Sequence, residues 1–131
     1  MVQFNTKRKF KILENGLICA SAGTQTNCGG IAAILVRLEK TKSKELVFAV
    51  SQDGDWDGNA SHVPGSKLCK TFRDAIFDGA KQATIELKLE HGFKLTLVEA
   101  LVHPMDARES KFREAGFRAV TGWLKQESQN T

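Results

Sequence analysis

A chain of 131 residues with 41% hydrophobic and 26% charged residues has the size and composition of one globular domain. It has no apolar run near the ~20 residues of a membrane-spanning helix, and no apolar stretch with a small-residue cleavage site follows its basic start. A cytoplasmic chain without a signal peptide is therefore the expectation. The net charge of +4 is compatible with a nucleic-acid partner without requiring one.

Residues 1–8 read as a loose start. Phe10–Leu13 is a strand or the approach to one, and Asn15-Gly16 between apolar-rich runs signals a hairpin into Leu17–Ala22. The polar stretch Ser21–Gly30 is a connector in which Gly29-Gly30 allows tight turning. It lacks the lysine and Ser/Thr of a phosphate-binding loop. Gly30–Glu39 and Glu45–Gln52 read as strands joined by the charged hairpin loop Lys40–Lys44, completing an antiparallel meander of about three strands.

The loop Asp53–Gly65 is acidic. Asp53, Asp55 and Asp57 with Gly58 match the first half of a calcium loop, but Pro64 stands where a bidentate Glu is needed. The preferred reading is a polar loop pinned by Trp56; an exposed Trp56 would instead be a partner contact. Ser66 then offers a cap to a helix whose stripe is Leu68, Phe72, Ile76, Ala80 and Ala83, running through Leu87 to about Glu90. Phe93–Val102 is a strand, broken at His103-Pro104. Asp106 is a cap for a last helix, Arg108 to about Gln126, with Phe112, Ala115, Ala119 and Trp123 on one face. Residues 127–131 are a loose tail.

Two one-sided helices can cover one face of a four-stranded sheet, so the fold class is a single-domain, two-layer α+β sandwich. Both faces of the strands carry apolar residues, such as Ile34 and Leu35. The face away from the helices is thus expected to be covered by the N-terminal segment or by a second copy, giving a homodimer. Cys19, Cys28 and Cys69 lack zinc spacing and read as reduced thiols, with a Cys19–Cys28 bridge as the alternative.

The segment Leu95–Ala119 resembles domain IV of the translational GTPase elongation factor G and its ribosomal-protection relatives. The resemblance rests on Thr96-Leu97, His103, Asp106, and Phe112 with Ala115-Gly116. Upstream, Val63-Pro64 looks like the Ile-Pro before that family's first helix, and Gly29-Gly30 like its glycine-rich loop. The resemblance implies a β3-α-β-α order with a left-handed βαβ crossover, an exception to the usual hand. It also implies contacts with tRNA and ribosomal RNA through loop tips, His103 and Asp106 being the matched tip positions beside Gly29 and Gly30. The chain has no GxxxxGK[ST] motif and so no nucleotide switch of its own.

The leading expectation is a non-catalytic module that binds ribosomal or other structured RNA. It would use the basic clusters Lys7, Arg8, Lys9, Lys11 and Lys40, Lys42, Lys44 with the His103 tip. A protein-binding accessory module using Trp56 is the alternative. A small enzyme using His103 and Asp106, with His62, ranks below both. No cofactor, metal or membrane partner is expected.

Overall fold

The computed structural model describes residues 10–13, 16–23, 31–51, 62–87, 91–102 and 108–129. Strand β6 (Phe93–Leu101) carries the centre of the core, with Phe93, Leu95 and Leu97 fully buried. Alternation places these three on one face and Lys94 and Thr96 on the other. Before β6 the chain forms β1 (Phe10–Ile12), β2 (Ile18–Gly23), β3 (Ile31–Lys40), β4 (Leu46–Val50), β5 (His62–Pro64) and helix α1 (Lys70–Leu87). Helix α2 (Glu109–Gln129) follows it. The strands form one mixed sheet in the order β1-β2-β3-β6-β4, with β5 paired to the end of β6.

The two-layer α+β arrangement is as expected, but the sheet has six strands, not four. The extra two are short. β1 closes a hairpin in which the Leu13 amide donates to the Leu17 carbonyl at 2.8 Å, with Gly16 at φ 83° in the turn. β5 lies where a loop was expected: Val63 faces Ala100 on β6 and is buried.

The meander is also corrected. β1, β2 and β3 pair antiparallel as expected, yet β4 does not pair with β3. β6 lies between them, antiparallel to β3 and parallel to β4, so residues 41–45 arch over the start of β6 and do not close a hairpin. The physical reason lies in the core. Inserted there, Phe93 meets Phe48 of β4 at 6.3 Å and Trp123 of α2 at 5.9 Å, both edge to face. Phe48 also stacks on Phe77 of α1 at 4.8 Å, so aromatic contacts link both helices through β4 and β6.

Both helices lie on the face carrying Ile18, Ala20, Ile34, Val36, Phe93, Leu95 and Leu97. The stripes Ile76–Ala80–Ala83 and Phe112–Ala115–Ala119–Trp123 are buried as their spacing predicts. Leu87 does not continue the first stripe: it is exposed, and so is Ile85. Nor does Ser66 cap α1. It sits in a 3-10 turn, Gly65–Lys67, and the carbonyl of Cys69 accepts the amide of Arg73 to start the helix.

The helices run parallel, Phe72 stacking on Phe112 at 4.5 Å and Ile76 meeting Gly116 one turn on. A Cβ on Gly79 would stand 1.9 Å from the Arg113 carbonyl oxygen, and one on Gly116 2.1 Å from that of Ile76. The two backbones touch where side chains would hold them apart.

The opposite face carries a smaller cluster of Leu17, Cys19 and Leu35, with Leu13 and Val98 against it. Val98 is the extra residue of a bulge: Leu35 faces Glu99 while Val36 faces Leu97. Leu17, Cys19, Ser21, Ala33 and Leu35 are buried within the single chain.

Two stability measurements test this packing. Alanine is the better helix former by about 1 kcal/mol, yet Gly79→Ala and Gly116→Ala should each lower the urea unfolding free energy by about 2 kcal/mol through overpacking. A stabilised variant would show that the backbones are not in contact. The Ser21 hydroxyl is buried without a hydrogen-bond partner. Ser21→Ala should therefore be neutral or stabilising by up to about 1 kcal/mol, and a clear loss would reveal a partner.

Candidate nucleic-acid interface

The displacement of β4 from β3 makes residues 41–45 an arch. It spans two strand spacings, roughly 10 Å, across the start of β6. Backbone contacts hold it there. The Thr41 amide donates to the Gly92 carbonyl at 3.2 Å, and the Gly92 amide to the Ser43 carbonyl at 2.8 Å. The Thr41 hydroxyl donates to the Ser43 carbonyl at 3.0 Å, and the Glu45 amide to the Ser43 hydroxyl at 3.3 Å. A Cβ at Gly92 would stand 1.9 Å from the Glu45 carbonyl oxygen, so the arch rests directly on backbone.

From this support Lys42 and Lys44 are exposed, with Lys40 exposed at the end of β3; Lys94 is exposed on β6 on the other face of the sheet from Lys40. Lys42 and Lys44 make no ion pair among the described residues. Glu39 faces Lys94 across the β3–β6 ladder, and Glu45 closes the arch, so the patch is basic with two carboxylates in it. Such a surface can contact phosphates through charge.

Of the expected site residues, the structure describes Lys11, Lys40, Lys42 and Lys44. Lys40 stands at one end of β3, beside Phe93 at the start of β6. Gly23, Ile31 and Leu101, which flank the glycine connector and the His103 segment, lie at the other end. Nine residue steps of β3 separate the two ends by roughly 30 Å. Lys11 is exposed on β1 opposite Cys19, near mid-sheet and away from both. His103, Asp106, Gly29, Gly30, Lys7, Arg8, Lys9 and Trp56 lie outside the described residues, as do Asp53, Asp55 and Asp57 of the calcium-like loop and Cys28. Cys19 is buried and Cys69 exposed.

Sequence reading missed three parts of the arch end. They are Gly92, Thr41 and Lys94, none of which its residue type singles out. The strict alternation of Phe93, Leu95 and Leu97 with Lys94 and Thr96 was the signal that could have marked Lys94 as exposed.

Elsewhere, a groove of about 510 Å³ between the helices is lined by Asp78, Glu86 and Glu114 with Arg113. Its excess of carboxylates disfavours phosphate. Among the described residues no group of three His, Cys, Asp or Glu could hold a metal, and no helix is long and apolar enough to cross a membrane. No protein-family model matches the sequence, and no curated protein matches it with significant similarity.

The arch should separate into support and display. Thr41→Val removes the hydroxyl that ties it and should cost about 1 kcal/mol in thermal or urea unfolding. Lys42→Ala and Lys44→Ala should change stability by less than about 0.5 kcal/mol. Equal costs at all three positions would contradict this division.

Proposed function

We propose that this chain is a non-catalytic module that binds structured RNA, including ribosomal RNA, through the lysine arch. One observation carries the reading: Lys42 and Lys44 are exposed on a turn held by backbone hydrogen bonds to Gly92, with Lys40 at the adjoining end of β3. A fixed set of cations loses little freedom when phosphates bind, which favours contact over a loose basic tail.

The resemblance to domain IV of elongation factor G belongs to the same proposal. It is supported by the parallel β4–β6 pair joined through α1, which is the βαβ unit that the resemblance implies, and the proposed hand of that crossover is left. The resemblance would make His103 and Asp106, with Gly29 and Gly30, a second set of contacts. Cytoplasmic residence goes with this reading.

A second reading, a protein-binding module or homodimer, is favoured by the margin between β4 and α1. Ile85 on α1 is 68% exposed. Phe77 and Lys81 lie over Phe48, two turns and one turn before Ile85 respectively, placing Ile85 along that margin.

The test is binding of a short RNA stem-loop at two salt concentrations, by the wild type and a variant with Lys40, Lys42 and Lys44 all changed to Ala. We expect affinity in the variant to fall roughly tenfold at low salt, and the slope of log K against log salt to become shallower by about 2. Equal binding by both proteins would contradict the arch. Absence of binding at low salt, with a concentration-dependent dimer in light scattering, would favour the second reading.

A further inference from the structure

On the opposite flank from β4, the first residue of β1 packs against α2. A pocket of about 420 Å³ lies there, lined by Phe10, Arg118, Thr121, Gly122, Lys125 and Gln126. It exists because residue 122 is glycine: a Cβ there would stand 2.4 Å from the Phe10 ring, which would have to move off the helix.

Among the described residues the lining has two cations and no carboxylate. Arg118 is anchored. It donates to the Ser21 carbonyl at 2.8 Å and, from its other terminal nitrogen, to Glu114 at 3.0 Å. A guanidinium has five N–H donors, so these two bonds leave donors for a ligand. Lys125, two turns further along α2, is exposed and makes no ion pair among the described residues. Gln126 adds an amide, and Phe10 a half-buried ring.

We propose that this pocket binds a nucleotide, its phosphate held between Arg118 and Lys125 and its base lying against the Phe10 ring. The volume falls in the range of small-molecule sites and is far larger than a bare phosphate needs. An aromatic wall beside paired cations is the arrangement that takes a base and its phosphate together. A free mononucleotide and the phosphorylated end of an RNA strand share this chemistry. The site has no residue in common with the lysine arch, so either can fail without the other.

The experiment is titration of the full chain with adenosine monophosphate, followed by calorimetry and by amide chemical shifts. Adenosine and inorganic phosphate are the comparison ligands. We expect sub-millimolar binding of the nucleotide, weaker binding of both comparisons, and shifts at Thr121, Gly122 and Lys125 but not at Lys42 or Lys44. Lys125→Glu should weaken nucleotide binding about fivefold. Phe10→Leu should weaken it similarly while leaving phosphate binding unchanged. Circular dichroism checks that each variant is folded. A phosphorylated trinucleotide binding more tightly than the mononucleotide would assign the site to a strand end, and equal binding to the free nucleotide. No binding at millimolar nucleotide, adenosine binding as well as the nucleotide, or shifts confined to the arch would each overturn the proposal.

Discussion

The architecture depends on one close approach. At Gly79 and Gly116 the backbones of α1 and α2 meet, a Cβ at either position falling about 2 Å from a carbonyl oxygen of the other helix. Around this point the buried helix residues are small: Ala75, Ala80, Ala83, Ala115 and Ala119. Small residues let the parallel pair sit low on the sheet and bury Ile76 and Phe112 fully. Beneath them β6 is the strand that both helices need, since Phe93 reaches Trp123 on one side and Phe48 on the other. A central β6 displaces β4 from β3, and that displacement creates the lysine arch.

Much of this was legible residue by residue. Helix stripes repeat at three and four, and Phe93–Leu101 alternates cleanly, so their existence and buried faces could be read locally. Sheet order could not. Whether β4 pairs with β3 or with β6 is decided by contacts between residues dozens of positions apart, such as Phe48 with Phe93. The short charged stretch Lys40–Lys44 looks like a hairpin loop in either case. Ser66 shows a related limit: its residue type favours a cap, but Pro64 and Gly65 pack against β6 and delay the helix to Lys70.

The same non-local ordering places the described lysines. Charge clusters were visible in the chain, but the end of the sheet at which Lys40, Lys42 and Lys44 stand was not, because it follows from the direction of β3 and β6. Basic residues gather at the end where β6 begins, whereas the flanks of the glycine connector and the His103 segment gather where it finishes. A single RNA surface combining them would have to span the length of the sheet. The arch is therefore the compact candidate, supported by backbone that its lysines do not help to hold.

The most direct test of this account is a map of amide chemical shifts on adding a structured RNA to the labelled chain. The account predicts the strongest changes at Thr41–Glu45, Gly92 and Lys94. Changes centred on Gly23, Leu101, Val102 and Arg108, with the arch unmoved, would contradict it and transfer recognition to the opposite end of the sheet.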